Sequence, residues 1–328
     1  MIDNRQRKLI GLLADGRFYS GRQLAIQLGI SKSAISRRIS RLSDLGLDVD
    51  SVKGKGYCLR APIELLDKQV ICGALGSGVS SKIECLSIQD ITASTNTDAL
   101  ESRITTGYGV FLSEYQTGGK GRRGKSWYQG FASGLVLSIV KNFELDLKEL
   151  SAMSLWSAVA VCEVLSHSYG DRFKIKWPND IYVDGRKLAG ILLEAKTEVG
   201  GQVRLVVGVG VNYVAQHIKA ERIDQSWTAL SQLQGHNKSN RSILVASIIE
   251  RIIFRLDRVL TPGFKSDLAE YWSRYDYLVG RDICVSSIGG RVEGHYEGLD
   301  SSGNLLLSHN GRLVSVNAGE VSVREIDH

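Results

Sequence analysis

The sequence predicts a multidomain α+β protein: a small winged helix-turn-helix, a larger α+β body on a mixed or antiparallel sheet, and a short all-β C-terminal part. Three observations predict it. The 328 residues exceed what one hydrophobic core usually serves. The first 60 residues hold 12 Lys+Arg against 5 Asp+Glu, whereas the rest hold 29 against 30, so all the excess positive charge sits in the first fifth. The hydrophobic pattern also changes twice, from helical periods to alternating strands and helices, then to short strands broken by glycine turns. The boundaries fall at residues 1–62, 63–274 and 275–328.

Composition narrows the class. With 43% hydrophobic and 23% charged residues the chain is neither disordered nor fibrous. Its five cysteines form no CxxC pair and no histidine falls at zinc-site spacing, which argues against a disulfide framework or a structural zinc and suits a reducing cytosol. No run of about 18 apolar residues and no leader pattern occurs. The expectation is a soluble cytoplasmic protein with no membrane partner.

In the first module, residues 5–14 present Leu9, Leu12 and Leu13 to one side and stop at Asp15-Gly16. Ser20 with Gln23 three residues on is a capping-box pattern, and Gly29 closes that helix. Ser31 caps a third helix, expected to reach about residue 45, whose buried stripe is Ile35, Ile39 and Leu42. Its other face carries Ser31, Lys32, Ser33, Ser36, Arg37, Ser40 and Arg41, donors suited to phosphates and base edges. Strands over 47–52 and 57–59 flank Lys53-Gly54-Lys55-Gly56, a tight turn with Lys53 and Lys55 at its tip. Charge, capped third helix and wing favour DNA over the alternatives, a helical protein-interaction module or a merely solvated basic surface. Pro62 marks the boundary, and residues 63–73 begin a new helical pattern.

In the body, strands are expected over 110–115, 134–140, 173–177, 189–195 and 203–211. Asp184-Gly185 is a hairpin turn between 180–183 and 187–193. Residues 150–166 form a nearly all-apolar helix, and 243–260 an amphipathic one stopped by Pro262-Gly263. The absence of a regular βα repeat excludes a doubly wound nucleotide fold.

Four segments carry chemistry. Gly118 to Lys125 packs four glycines and four cations into eight residues, with Trp127 just behind: glycines let backbone N–H groups approach an anion, and Lys120, Arg122, Arg123 and Lys125 neutralise it. It lacks the GxxxxGK[ST] offset of a phosphate loop. Trp127 can stack on a purine; the alternative is a flexible basic surface loop. Lys176-Trp177-Pro178-Asn179-Asp180 and, on the returning strand, Lys187-Leu188-Ala189-Gly190 place two lysines over one cavity, where Asp180 can hold a lysine or a metal. Gly208-Val209-Gly210-Val211-Asn212 puts two glycines inside a strand, a sign of close approach by a ligand or simply a bulge. Ser94-Thr95-Asn96 taken alone reads as a helix cap.

Together, in their order along the chain and with Glu114-Tyr115-Gln116 and Gly54-Lys55-Gly56-Tyr57, the segments resemble the bifunctional biotin–protein ligases that also repress the biotin operon. The resemblance covers essentially the whole chain. One departure is Lys120, where the family usually carries arginine; charge is kept but the planar fork is not. The resemblance implies ATP-dependent, AMP-forming activation of biotin to biotinyl-5′-AMP, with Mg2+ accompanying ATP, and transfer to a lysine of a biotin carboxyl carrier protein. It also implies an adenylate-bound homodimer that represses transcription at operator DNA, and an SH3-like C-terminal barrel. By the same resemblance Ser94, Thr95, Asn96, Gln116, Gly119, Gly190 and Gly208 hold biotin, with Lys120, Arg122 and Lys187 shared between biotin and the reacting centre. Arg123, Lys125, Trp127, Lys176, Asn179 and Asn212 join Lys120 and Arg122 on the ATP side, and the catalytic group is Lys187, Arg122 and Asp180. Loops at 119–124 and 196–201 are the candidates for creating the dimer surface. Trp272 and Tyr275 are expected to pack where the β barrel meets the body. Two competing readings are an adenylate-sensing repressor without turnover and a lipoyl- or octanoyl-transferring relative.

Overall fold

The computed structural model describes residues 2–144, 150–198, 201–215, 225–233, 240–259, 261, 267–287, 290–318 and 321–326. Pro262-Gly263, Gly289, Gly319 and positions 199 and 200 of the 196–201 loop lie outside the described residues.

The first module folds as its caps dictate. Asp3 accepts the Gln6 N–H to start α1 (Asn4–Leu13), and Ser20 and Gln23 close a reciprocal capping box on α2 (Gly21–Leu28). Helix α3 (Lys32–Ser40) stops five residues short of the expected end, continuing only as a 3-10 turn over Ser43–Leu45. The serines explain this: Ser40 Oγ donates to the Arg37 carbonyl and Ser43 Oγ to the Ser40 carbonyl, competing with the helical ladder. Leu9, Leu13, Leu24, Ile35 and Leu42 form the core, while Ile39 is only half-buried. Strands β1 (Val49–Val52) and β2 (Gly56–Leu59) make the wing. Its root is locked because Tyr19 and Tyr57 exchange two backbone hydrogen bonds of 2.9 Å. Gly56 at φ 106° is needed there: a Cβ would lie 2.1 Å from the Tyr19 carbonyl oxygen.

Past Pro62 the chain runs extended instead of starting a helix at 63; α4 (Lys68–Ala74) begins only after Asp67 caps Gln69 and Val70. The intervening residues are committed elsewhere, since the Leu66 N–H donates to Glu114 and the Glu64 carboxylate accepts the Arg241 N–H. After α5 (Ser77–Ser80) comes the body: β3 (Ile83–Thr92), α6 (Thr95–Glu101), β4 (Tyr108–Gln116), β5 (Gly134–Phe143), α7 (Leu150–Tyr169), β6 (Phe173–Lys176), β7 (Asp180–Val183), β8 (Arg186–Thr197), β9 (Val203–Asn212), α8 (Arg241–Val259) and α9 (Leu268–Tyr275). The sheet runs β3-β4-β5-β9-β8-β7-β6 and is mixed, with only β3–β4 parallel. The apolar α7 is buried between this sheet and α8, and α6 packs on β4, β5 and β9. Among the described residues no helix is long and apolar enough to cross a membrane.

The C-terminal part has β10 (Asp282–Ser287), β11 (Gly290–Leu299), β12 (Leu305–His309), β13 (Arg312–Val316) and β14 (Ser322–Glu325), all antiparallel in the order β13-β12-β11-β10-β14. Strand β11 serves two neighbours, its first half pairing β10 and its second half, from His295 and with a bulge between Tyr296 and Gly298, pairing β12. The part expected to be an SH3-like barrel is a five-stranded antiparallel sheet with its last strand beside its first, and no ladder joins β13 to β14 among the described residues. Trp272 is buried at the junction, donating to Tyr296 Oη at 3.2 Å, which donates in turn to Asp276 at 2.8 Å.

Candidate functional site

A cavity of about 500 Å³ opens over β8 and β9, bounded by the N-terminus of α6, the 119–127 loop, the β6–β7 turn and strand β14. The sheet makes room with glycine. A Cβ at Gly208 would lie 2.2 Å from Asn96 Oδ1, and one at Gly210 would lie 2.6 Å from the Trp127 ring. Gly190 stands across the ladder from Gly210, giving the Trp127 indole a smooth floor.

One end of the cavity is polar. Ser94 occupies the N-cap position of α6 yet makes no capping bond, so its hydroxyl is left to the cavity it lines. Gln116 Oε1 accepts from the Thr95 N–H at 2.8 Å and lies 3.1 Å from Thr95 Oγ1. Ser138, fully buried on β5, and Glu194 on β8 complete this end through Asn96.

The middle holds Lys187, whose Nζ is 2.7 Å from Asp180 Oδ2 and 5.9 Å from the Trp127 ring centre. Backbone bonds fix its position: the Lys187 N–H donates to Ser226 at 3.0 Å, and its carbonyl accepts from Thr228 at 2.9 Å. The third region is cationic. Arg122 donates to Asn179 Oδ1 at 3.5 Å and to the Ala318 carbonyl, and Asn179 donates to the Ile191 carbonyl. Burial draws the Arg122 guanidinium below its usual pKa, Asp180 opposes this and Arg123 adds to it. Lys176 Nζ is 3.1 Å from Glu325 of β14 and lies over the rings of Tyr182 and Tyr277 at 5.5 and 5.4 Å. Burial pushes the Glu325 carboxyl up, but Lys176 and Arg281 outweigh it and hold the carboxyl low.

The loop itself is a closed turn. Lys120 bridges Ser126, the Gly121 N–H donates to Lys125 at 2.7 Å, and Arg123 takes φ 56° beside Gly124 at 71°. Its cations lie within reach of two regions: Lys120, Arg122, Arg123 and Lys125 line both the main cavity and a shallower one over Leu192 and Glu194.

Of the expected site residues, Ser94, Thr95, Asn96, Gln116 and Gly208 line the polar end of the main cavity, and Gly190 lines its middle beside Asp180 and Trp127. Lys120, Arg122, Arg123, Lys125, Trp127, Lys176, Asn179, Asp180 and Lys187 line the remainder. Two expected residues stand apart. Gly119 is buried beneath the loop, where a Cβ would meet the Trp127 carbonyl at 2.6 Å. The Asn212 amide is turned to the Thr228 carbonyl at 3.0 Å and does not line the cavity. Sequence reasoning missed Tyr182, Ser138, Glu194, Val321 and the β14 residues 322–325. A lone hydroxyl inside the apolar run of β5 was the available signal for Ser138.

On the first module, Ser31, Lys32, Ser33, Ser36, Arg37, Ser40 and Arg41 are all exposed on α3 or at its ends, and Lys53 and Lys55 are exposed on the wing. Arg38 turns inward instead. It donates two 2.8 Å bonds to Asp3, which hold that carboxyl down to about 2.

The comparisons with known proteins meet this geometry at each domain. The Biotin/lipoate A/B protein ligase family matches residues 86–212, an HTH domain matches 5–58, and a Biotin protein ligase C terminal domain matches 281–324. The Bifunctional ligase/repressor BirA of Escherichia coli (strain K12) is 34% identical over 322 residues, 98% of this chain and 97% of that one. The Biotin--[acetyl-CoA-carboxylase] ligase of Mycobacterium tuberculosis is 29% identical across 74% of this chain and 91% of its own. Among solved structures, a biotin protein ligase from Aquifex aeolicus in complex with biotin and ATP superposes with a TM-score of 0.64 at 25% identity, covering 74% of this chain and 100% of that one. Fold and cavity thus define a ligase body of the biotin/lipoate class. The chain belongs to the bifunctional ligase/repressor family, the biotin protein ligases that carry an N-terminal HTH domain.

Proposed function

We propose that this protein joins biotin to ATP as biotinyl-5′-AMP and passes biotin to a lysine of a biotin carboxyl carrier protein. With the adenylate bound it dimerises and represses the biotin biosynthesis operon. The observation that carries the reading is the Lys187–Asp180 pair under Trp127, set between a polar cavity end and a cationic one. The polar end suits biotin's ring, and the cationic end suits a triphosphate.

In the first step a biotin carboxylate oxygen attacks the α-phosphorus, and the bond to pyrophosphate breaks. Two anions must meet, so the work is positioning and charge neutralisation, not a protein nucleophile. Asp180 holds the Lys187 ammonium where both reacting groups converge, and Arg122 and Lys176 supply charge toward the phosphates. Asp180, the carboxylate among the described residues that line the cavity, is already paired with Lys187 at 2.7 Å, so magnesium would be held chiefly by the phosphates of the nucleotide that brings it. Bound there, magnesium supplies further neutralisation of the phosphate oxygens. In the second step the carrier lysine amine attacks the acyl carbon, AMP leaves with the C–O electron pair, and the amine loses its proton.

The test is pyrophosphate release with biotin and ATP, and label transfer to a carrier domain. No biotin-dependent release would overturn the ligase reading in favour of an adenylate sensor; release with lipoate or octanoate instead would favour the lipoyl relative. Arg122 belongs to the loop that closes on the mixed anhydride, so Arg122→Gly is expected to form the adenylate but leak it. Biotin incorporated into serum albumin should rise about tenfold or more over wild type, the cost of losing a charged contact; equal labelling would remove the retaining role.

For the repressor half, a two-fold pair of modules reads a palindrome that one module reads poorly. The adenylate drives this only by binding the dimer-competent state better. Sedimentation should show a monomer becoming a dimer on adding biotin and ATP. Arg37→Ala, which removes an exposed α3 cation, should weaken operator binding about tenfold while biotinylation is unchanged. Adenylate-independent oligomeric state and operator affinity would leave only the ligase.

A further inference from the structure

The polar end of the cavity is wired to a carboxylate that lies outside the expected site. Asn96 Nδ2 donates to Glu194 Oε2 at 2.7 Å. A carboxylate only accepts, so Glu194 fixes which way the Asn96 amide points and turns Oδ1 toward Ser138. Ser138 Oγ lies 2.6 Å from Asn96 Oδ1 and 2.7 Å from Thr95 Oγ1, and all three residues are buried. A serine hydroxyl carries one proton. Asn96 Oδ1 has none to give, so the Ser138 proton goes to Asn96. The 2.7 Å approach of Ser138 to Thr95 also needs a proton, and it then comes from Thr95. The other neighbour of the Thr95 hydroxyl, Gln116 Oε1 at 3.1 Å, is likewise an acceptor. The Thr95 proton therefore points into the protein, and its remaining lone pair faces the cavity. Gln116, whose Oε1 already takes the Thr95 N–H, offers its Nε2 hydrogens.

We propose that Glu194, acting through Asn96 and Ser138, sets the hydrogen-bond polarity of Thr95, so that the cavity end accepts an N–H beside a donor for a C=O. That edge fits a cyclic urea and rejects ring analogues with oxygen in place of the N–H. Ser138 and Glu194 are positioning residues for specificity, and this assignment rests on the biotin-ligase reading. The strands support the relay: Ser138 pairs with Gly208, where any side chain would displace Asn96, and Glu194 lies one pleat further along β8.

The experiment is steady-state pyrophosphate release by wild type, Ser138→Ala and Glu194→Gln, with biotin and with an analogue whose ring N–H is replaced by an ether oxygen. Ser138→Ala should raise KM for biotin about tenfold, the usual effect of unsettling a buried hydrogen bond. KM for ATP should stay within about twofold, because the change lies at the polar end. Wild type should disfavour the analogue by about a hundredfold or more, since it opposes two acceptors. Ser138→Ala should narrow that gap about tenfold, because it removes the nearer inward partner of the Thr95 hydroxyl, at 2.7 Å, and leaves only the longer 3.1 Å contact to Gln116 Oε1 to hold the proton from turning outward. Glu194→Gln, isosteric and partly exposed, should move the same ratio in the same direction by about threefold, as Gln can present either polarity. An unchanged analogue ratio in both variants, or equal rises in both KM values, would overturn the relay while leaving the ligase reading intact. A wild type without biotin-dependent release would overturn the reading and the relay together.

Discussion

Lys187→Ala should slow biotin-dependent pyrophosphate release by about 10²–10³-fold, the range for removing one preorganised charge-stabilising group. The ammonium is already in place before reaction: Asp180 Oδ2 is 2.7 Å from Nζ, and backbone bonds to Ser226 and Thr228 fix the start of β8. Little reorganisation is then needed as negative charge builds on the α-phosphate oxygens. The loss should fall on kcat as well as kcat/KM, because the contact strengthens in the transition state. Stability should change by less than about 1 kcal/mol, since the side chain is partly exposed and its ion pair is of the weakly stabilising kind. Pulsed formation of biotinyl-AMP under single turnover is the direct measurement. Near-normal rates would remove Lys187 from the reacting centre and leave Arg122 and Lys176 as the groups to examine.

Local chemistry was the legible part of this protein. The capping box at Ser20 and Gln23, the left-handed Gly29 and the glycine-lysine wing all fold as their residues require, because each depends on neighbours within about four positions. The two strand glycines likewise mark the cavity floor. What the sequence hid was set by distant pairing. Strand β3 mixes polar and apolar residues as an edge strand does, and only its parallel ladder to β4 defines it. Glu325 reaches Lys176 across 149 positions, so nothing local marks β14 as a wall of the site. The α3 end was misplaced for a local reason: the periodicity continues to Leu42, but the serines draw the carbonyls away. Motif order pointed to most of the residues that line the cavity, whereas the Ser138–Asn96–Glu194 relay needed coordinates.

Glu114→Ala should cost about 3–5 kcal/mol of stability, the penalty for stranding the partner of a buried ion pair, or roughly 10 °C of melting midpoint in a domain of this size. Glu114 and Arg241 are both fully buried and paired. Arg241 also donates to the Glu64 carbonyl at 2.8 Å and twice to the Gly134 carbonyl, while Glu114 accepts the Leu66 N–H at 2.6 Å. Removing Glu114 leaves a desolvated guanidinium and an orphaned N–H at once. A double variant, Glu114→Leu with Arg241→Met, should recover most of the loss, because an apolar pair has no charge to desolvate. Thermal melts of Glu114→Leu, Arg241→Met and the double complete the cycle, and a loss below about 1 kcal/mol in Glu114→Ala would show that the pair is not what holds this region. The site should register the change too. Glu114 and Gln116 share β4, and Glu64 and Leu66 form the segment leaving the winged module, so the clamp joins that segment to the strand bearing Gln116. At temperatures where Glu114→Ala remains folded, KM for biotin should therefore rise more than KM for ATP, since Gln116 sits at the polar end and the cations of the other end lie on β6 and the 119–127 loop.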